Sequence, residues 1–316
     1  MADKARLFKI DDQPPLIQLI VASLIVIIAG TLLFYFFIFA GSLFFRTEMR
    51  EMLLLPSTGI GAKENMIIRY VQFVKQLSLF IIPSLIIIYL VKKDNGAFLG
   101  AIKLPDFFTI LLVIILSLLI IPITSYTGIL NSKMDLPDWL SEVESWMKAK
   151  EDTAADLTKL LITSKGLAML FVNIIILAVV PAIGEELLFR GVLQQLLSRI
   201  FRSRHLGIWI ASIIFSGIHL QFFGFIPRLI LGLSFGYLFY WSRNLWVPVI
   251  AHFVNNVVLI ILAYYVSWEE MREKAINLKV HVINIPFIPI IFAIAIFYYF
   301  RSEYRKKLNG ESDRAK

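Results

Sequence analysis

The sequence predicts an all-α membrane protein, a polytopic bundle of about eight transmembrane helices with one amphipathic interfacial helix. The 316-residue chain is 58% hydrophobic, and its mean hydropathy is +0.77. A water-soluble protein of this length could not bury that much apolar surface. The apolar residues form continuous runs without the period-two alternation of a membrane barrel, so the spanning elements are predicted to be helices.

Eight apolar runs of roughly spanning length define these elements. In order they are Leu16–Phe45, Tyr70–Val91, Phe107–Ile123, Leu167–Leu197, Leu206–Leu220, Gly224–Tyr240, Leu245–Val266 and Ile283–Phe300. The first run is too long for the core of a signal peptide and is predicted to be a retained helix. The fourth run is long enough to tilt, whereas the fifth is short.

The segment Leu136–Leu161 differs from these runs because it is rich in acidic residues. Its apolar residues, Trp139, Leu140, Val143, Trp146 and Met147, recur at helical spacing. This pattern predicts an amphipathic helix, either an ordinary connector, which we favour slightly, or a helix at the interface over a cleft.

Basic residues collect at the ends of the apolar runs, and the net charge is +8. This distribution indicates contact with anionic lipid headgroups and no nucleic-acid partner. The basic residues that set the orientation are Lys4, Arg6, Lys9, Lys92, Lys93, Lys103, Arg199, Arg202, Arg204 and Arg301. They predict that both termini face the cytoplasm. The chain has no cysteine, so a thiolate nucleophile and a cysteine-type metal site are excluded.

Three charged residues interrupt the fourth apolar run, namely Glu185, Glu186 and Arg190. A charge at the centre of a bilayer costs roughly 2.5–3.5 kcal/mol on insertion scales, so these residues need partners and indicate a functional site. Glu186 and Arg190 are four residues apart and can pair on one helix face. Glu185 points elsewhere, without a local partner, as expected of a general acid or base.

Later apolar runs supply further polar groups. His219 follows Phe215 by one turn, and His252 and Asn256 share a face of the seventh run. A histidine beside a glutamate can polarise a water molecule, and an imidazole with a carboxamide can donate hydrogen bonds to an oxyanion. These groups are the components for attack of water on an amide carbonyl.

Each residue also has a purely structural interpretation. For Glu186 and Arg190 we favour a bracing ion pair over direct catalysis. His205 and His281 lie beside loops and are given no functional role, and Asn255 is a weaker candidate than Asn256. The group as a whole favours function, because it places two acids, two histidines and an amide on three separate apolar runs.

The order Glu-Glu-x-x-x-Arg, Phe-x-x-x-His, His-x-x-x-Asn resembles the CPBP family of CAAX-prenyl and bacteriocin-processing intramembrane proteases, also called Abi and including Rce1-type enzymes. The resemblance covers roughly 167–266. It implies that Glu185 and His219 activate water, that His252 and Asn256 stabilise the oxyanion, and that Glu186, Arg190 and Phe215 support the site. It leaves both a metal-free glutamate mechanism, which we favour with no cofactor, and a zinc site formed by Glu185, His219 and His252.

The predicted organisation has N-terminal helices and the amphipathic connector over 1–165, a catalytic core over 166–266, and a last helix with a charged tail over 267–316. The favoured function is an intramembrane endopeptidase acting on a membrane-associated or lipid-modified protein or peptide, as a multi-pass protein of the plasma membrane, which is the inner membrane if the source is bacterial. A proton- or ion-coupled transporter and a non-catalytic immunity or scaffold protein are the alternatives, since Glu and His residues in membranes also form proton relays.

Overall fold

The computed structural model describes residues 10–54, 61–90, 103–134, 136–162, 166–266 and 287–314. These residues form helices and no β-strand, so the predicted all-α class is confirmed. The main helices are α1 (Pro15–Phe45), α2 (Met49–Leu54), α3 (Ala62–Leu90), α4 (Phe107–Asn131), α5 (Ser141–Ile162), α6 (Leu167–Ile200), α7 (Arg204–Gly217), α8 (Phe225–Ser242), α9 (Trp246–Tyr265) and α10 (Phe287–Arg314).

Local sequence signals explain several helix ends. The Asp106 carboxylate accepts a hydrogen bond of 3.0 Å from the Thr109 amide at the start of α4. The Ser203 hydroxyl accepts one of 3.3 Å from the Leu206 amide at the start of α7. Both are N-caps that satisfy amide groups left free by the first turn. Arg243 ends α8 in the left-handed region at a φ of 52°, the conformation common at helix C-termini.

Seven helices in the described parts of the chain are long and apolar enough to cross a membrane, which are α1, α3, α4, α6, the segment Phe222–Ser242, α9 and Phe287–Lys307. The predicted fifth span, Leu206–Leu220, is not among them. It contains α7, a helix of 14 residues, and at 1.5 Å per residue its length is about 21 Å, against a hydrocarbon core of about 30 Å. The described residues therefore contain seven helices of spanning length, where about eight were predicted.

The predicted amphipathic segment contains α5, whose polar surface carries acidic and basic side chains. Trp139, just before α5, and Trp146 on it are exposed, whereas Met147 and Leu161 are buried. The Trp146 ring lies 6.0 Å from the ring of Phe222. This aromatic contact places the N-terminal half of α5 beside the segment that joins α7 to α8.

The spans pack around two apolar cores. Helices α4, α8, α9 and α10 share one apolar core, formed by Val113, Leu116, Ile120, Phe235, Leu238, Val247, Ala251, Ala293 and Phe300. Helices α1, α3 and α6 share a smaller core, formed by Ala22, Ile87, Val192 and Leu196 with Ile10. Because α6 contacts α1, α3, α7 and α9, its polar residues face several neighbouring helices.

Part of the orientation argument depends on residues that the structure does not describe. Five of the basic residues used in it lie outside the described residues, namely Lys4, Arg6, Lys9, Lys92 and Lys93. His281, the histidine given no functional role, lies outside them as well. The cytoplasmic placement of both termini therefore stays a prediction.

Candidate active site

A buried ion pair lies at the centre of α6. Arg190 Nη1 donates a hydrogen bond of 2.9 Å to Glu186 Oε1, four residues earlier. The Glu186 side chain is fully buried and the Arg190 side chain is 2% exposed. Arg190 Nη2 also donates to the Gly232 carbonyl of α8 at 3.0 Å. The predicted pair is present, and it ties α6 to α8.

Aromatic rings surround this guanidinium. Its central carbon lies 5.0 Å from the ring centre of Phe215 and 5.5 Å from that of Phe235. These are cation–π distances, which partly replace the hydration that Arg190 loses on burial. Phe215, predicted as a supporting residue, therefore contacts the ion pair from α7.

His252 connects α9 to the same pair. Its Nδ1 lies 2.8 Å from Glu186 Oε1, and because an ionised carboxylate only accepts hydrogen bonds, Nδ1 is the donor. The ring is stacked on Phe235 with 5.2 Å between centroids. These contacts fix the imidazole so that Nε2 faces Glu185, whose Oε2 is 3.9 Å away.

Glu185 is 7% exposed. It accepts a hydrogen bond from α3, a helix that carries none of the three motifs. Gln76 Nε2 of α3 donates a hydrogen bond of 2.9 Å to Glu185 Oε1. The sequence analysis missed Gln76, because a single glutamine in a long run forms no motif. Glu185 Oε1 is therefore occupied by the amide, while Oε2 is the oxygen nearer to His252.

His219 lies in the turn after α7. Its Nδ1 is 2.8 Å from the Phe215 carbonyl oxygen. Since a carbonyl oxygen only accepts, Nδ1 carries the hydrogen and Nε2 remains free to accept. Burial lowers the pKa of His219 below its ordinary value of 6.5, against the opposing effect of the Glu185 charge. The imidazole is therefore close enough to Glu185 for the two groups to interact electrostatically.

Asn256 lies one turn after His252 on α9, as predicted. Its Nδ2 donates a hydrogen bond of 3.3 Å to the Leu177 carbonyl of α6. Asn255, the weaker candidate, is 9% exposed. An amide nitrogen has two hydrogens, so the contact with Leu177 leaves one hydrogen of Asn256 for another acceptor.

Wide π-type turns distinguish α6 from a regular helix. In α6 they span Ile175–Val179 and Leu187–Leu193, and two others lie in α3 at Leu77–Ile81 and in α1 at Ile25–Ala29. Such turns are rare in helices as a whole, but those that occur are often found at functional sites. They change which side chains share a helix face. Here they flank Glu185 and Glu186 and immediately follow Gln76.

A second cation approaches the site from α8. Arg228 Nη1 donates to the Gln221 carbonyl at 3.2 Å, and its charge acts on both Glu185 and Glu151. Burial raises the pKa of Glu151 on α5 above its ordinary value of 4.5, while Arg228 acts in the opposite direction. The acidic face of α5 is therefore close to the polar site.

The predicted zinc ligands do not fit a three-ligand site as they are placed. Glu185 and His252 approach each other, but the described part of the chain contains no group of three or more His, Cys, Asp or Glu residues spaced to hold a metal ion. A catalytic zinc ion needs about three protein ligands. Glu185, His219 and His252 do not form such a set in this arrangement.

The segment that carries all three motifs has recognisable relatives. Residues 167–258 match the family model of Rce1-like type II CAAX prenyl endopeptidases. The family resemblance predicted from the motifs is thereby confirmed for this segment. Helices α1, α3, α4 and α10 lie outside the match.

A curated relative covers a similar length. The chain is 35% identical over 105 residues to the uncharacterized protein YpbD of Bacillus subtilis (strain 168). The match covers 32% of this chain and 49% of the relative, so the chain spans about half the length of the protein that it matches. No solved structure gives a significant match.

Proposed function

We propose that this protein is an intramembrane endopeptidase that hydrolyses a peptide bond of a membrane-associated protein or peptide. The observation that carries the proposal is the approach of Glu185 Oε2 to His252 Nε2, at 3.9 Å, within a buried site formed by α3, α6 and α9. Both atoms can be within about 2.8 Å of one water molecule at this separation. Glu185 would then act on this water, while His252 Nε2 lies close enough to the reacting atoms to donate to the oxyanion.

In the proposed reaction Glu185 accepts a proton from water as the water oxygen attacks the carbonyl carbon, and His219 Nε2 accepts a hydrogen bond from the other hydrogen of that water. The Nε2 atom of His219 supports this role, because Nδ1 is used by the Phe215 carbonyl and the Nε2 lone pair can accept a hydrogen bond. Collapse of the tetrahedral intermediate breaks the C–N bond, and the proton held by the base is delivered to the leaving amine. Burial of the site makes these interactions stronger than they would be in bulk water.

The oxyanion of that intermediate needs hydrogen-bond donors. We assign this role to Asn256, through its second amide hydrogen, and to His252 as an imidazolium, the form in which Nε2–H is available while Nδ1 donates to Glu186. Glu186 and Arg190 do not contact the reacting atoms in this scheme. They orient His252 and satisfy each other's charge.

The mechanism that we propose requires no metal ion. This proposal rests on the two uses of His252 in the structure, stacking on Phe235 and donating to Glu186. The substrate class that we propose is a peptide with a C-terminal CAAX motif, in which the cysteine can carry a prenyl group. The family match over 167–258 supports this class.

The test is cleavage of a quenched fluorescent peptide with a C-terminal CAAX motif, in two forms that differ only in the prenyl group. Protein in proteoliposomes should cleave the prenylated peptide, and mass spectrometry should find a single cut within the motif. Comparison with the unprenylated form measures how much the prenyl group contributes to the rate of cleavage. Absence of cleavage of both forms would refute the proposal, and ion-driven uptake by the same proteoliposomes would support the transporter instead.

A further inference from the structure

One residue of the candidate active site, Gln76, lies outside the segment that matches the family model. Gln76 lies on α3, 91 residues before the start of the match at residue 167, and it donates to Glu185 at 2.9 Å. We infer that Gln76 is a positioning residue for the hydrolytic reaction, which holds Glu185 Oε1 and turns Oε2 towards the attacking water. This inference rests on the proposed function.

The orientation of the Gln76 amide follows from the chemistry of its partner. An ionised carboxylate accepts hydrogen bonds and donates none, so the amide nitrogen must face Glu185. The amide oxygen, Oε1, must then point away. Among the described residues this oxygen is buried and accepts no hydrogen bond.

A buried carbonyl oxygen without a partner is rare in folded proteins and requires an explanation. Here the oxygen lies against α6, since a Cβ at Gly184 would be 3.5 Å from it. The close packing of α3 on α6 therefore fixes the amide in one orientation. In that orientation its nitrogen holds Glu185.

The backbone of both helices is adapted to this contact. Glu185 is preceded by Gly184, and a Cβ at that position would lie 3.0 Å from Ile81 Cγ1 and 3.2 Å from Phe80 Cβ of α3. Glycine therefore allows α3 and α6 to approach closely beside the catalytic carboxylate. The π-type turn Leu77–Ile81 begins at the residue after Gln76 and shifts the phase of α3 at this point.

A positioning role predicts a defined kinetic signature. Gln76→Leu removes the donor but keeps an apolar side chain of similar size. It should lower kcat about 10- to 100-fold, the usual cost of losing a partner that orients a catalytic group. The KM of the CAAX reporter peptide should stay within about two-fold, because Gln76 has no role in ground-state binding of the peptide.

The pH dependence supplies a readout that packing alone would not change. A hydrogen bond to the ionised carboxylate favours the ionised form, so its loss makes protonation easier. The acid limb of the kcat profile should move to higher pH in Gln76→Leu. It should move further in Gln76→Glu, because this isosteric change places a second carboxylate beside Glu185.

The matched control is Ser78→Ala. Ser78 is buried on the same helix, and its hydroxyl donates to the Val74 carbonyl within α3. This variant should keep the wild-type kcat and pH profile. All variants are first compared with the wild type by thermal unfolding in detergent, and Gln76→Glu keeps the inference testable if Gln76→Leu does not fold.

Wild-type kcat and an unshifted acid limb in Gln76→Leu, or an equal loss of kcat in Ser78→Ala, would overturn the inference. The variant Glu185→Gln separates this failure from failure of the proposed function. An inactive Glu185→Gln with a fully active Gln76→Leu removes only the role of Gln76. An active Glu185→Gln removes the mechanism on which that role depends.

Discussion

Breaking the ion pair between Glu186 and Arg190 should destabilise the protein strongly. Replacing Arg190 by leucine leaves the Glu186 carboxylate in a site where its side chain is fully buried, with His252 Nδ1 as its remaining described donor. Loss of one partner of a buried pair typically costs about 3–5 kcal/mol, because the other charge stays desolvated. Leucine also gives up the contact to the Gly232 carbonyl and the cation–π contact with Phe215. We therefore expect a loss near the upper end of this range.

The complementary variant and the double variant distinguish charge pairing from loss of volume. Glu186→Gln keeps an oxygen that can accept from His252 but leaves Arg190 without its counter-ion. The double variant removes both charges, and neutral replacement of a buried pair is often tolerated. It should recover at least about 2 kcal/mol relative to the sum of the two single variants.

The assay is SDS-driven unfolding in mixed micelles, followed by the fluorescence of the six tryptophans. The control is the ion pair of Lys148 and Glu144 on α5, in which the lysine side chain is 56% exposed. Lys148→Ala should cost less than about 1 kcal/mol, as exposed pairs usually do. A loss below about 1 kcal/mol in Arg190→Leu, or strict additivity in the double variant, would show that this pair does not brace α6.

Three further predictions follow from the structure. Gly184→Ala should push α3 away from Glu185 and lower kcat in the same direction as Gln76→Leu, which the reporter peptide measures; unchanged kcat would contradict the close approach. The raised pKa of Glu151 means that its contribution to docking of α5 is present below pH 4.5 and is lost as pH rises through the raised value. The protection of α5 amides, expressed as exchange rates relative to the intrinsic rates at each pH, should therefore fall with pH in that window in the wild type, but not in Glu151→Gln. Prolonged treatment with a strong zinc chelator should leave cleavage largely intact, whereas loss that zinc restores, with stoichiometric bound metal, would make His252 a metal ligand.

The sequence predicted most spans closely because the apolar runs are long and uninterrupted. The seventh run was predicted as Leu245–Val266 and forms Trp246–Tyr265. The fifth run was predicted to continue to Leu220, because the apolar composition continues past Gly217, but the helix ends at Gly217. Composition alone cannot show where a chain leaves its helix.

Local spacing also predicted the pairing of Glu186 with Arg190, since four residues bring side chains onto one face. The contact between Glu186 and His252 joins residues 66 positions apart, and no local pattern encodes it. The π-type turns in α6 change the helical phase, so face arithmetic for an ideal helix is unreliable next to them. The contact of Gln76 with Glu185 was also missed, because it depends on the packing of α3 against α6 and no local pattern encodes it.

The most direct test of the mechanism is the turnover of the prenylated reporter peptide by wild type and by Glu185→Gln, in proteoliposomes with matched protein content. Glutamine keeps the size of the side chain and can still contact Gln76, but it cannot take a proton from water. General-base catalysis typically contributes about 10²- to 10⁴-fold, so kcat should fall by at least about 100-fold while thermal unfolding is unchanged. Turnover of Glu185→Gln at the wild-type rate would contradict the assignment of Glu185 as the base that activates water.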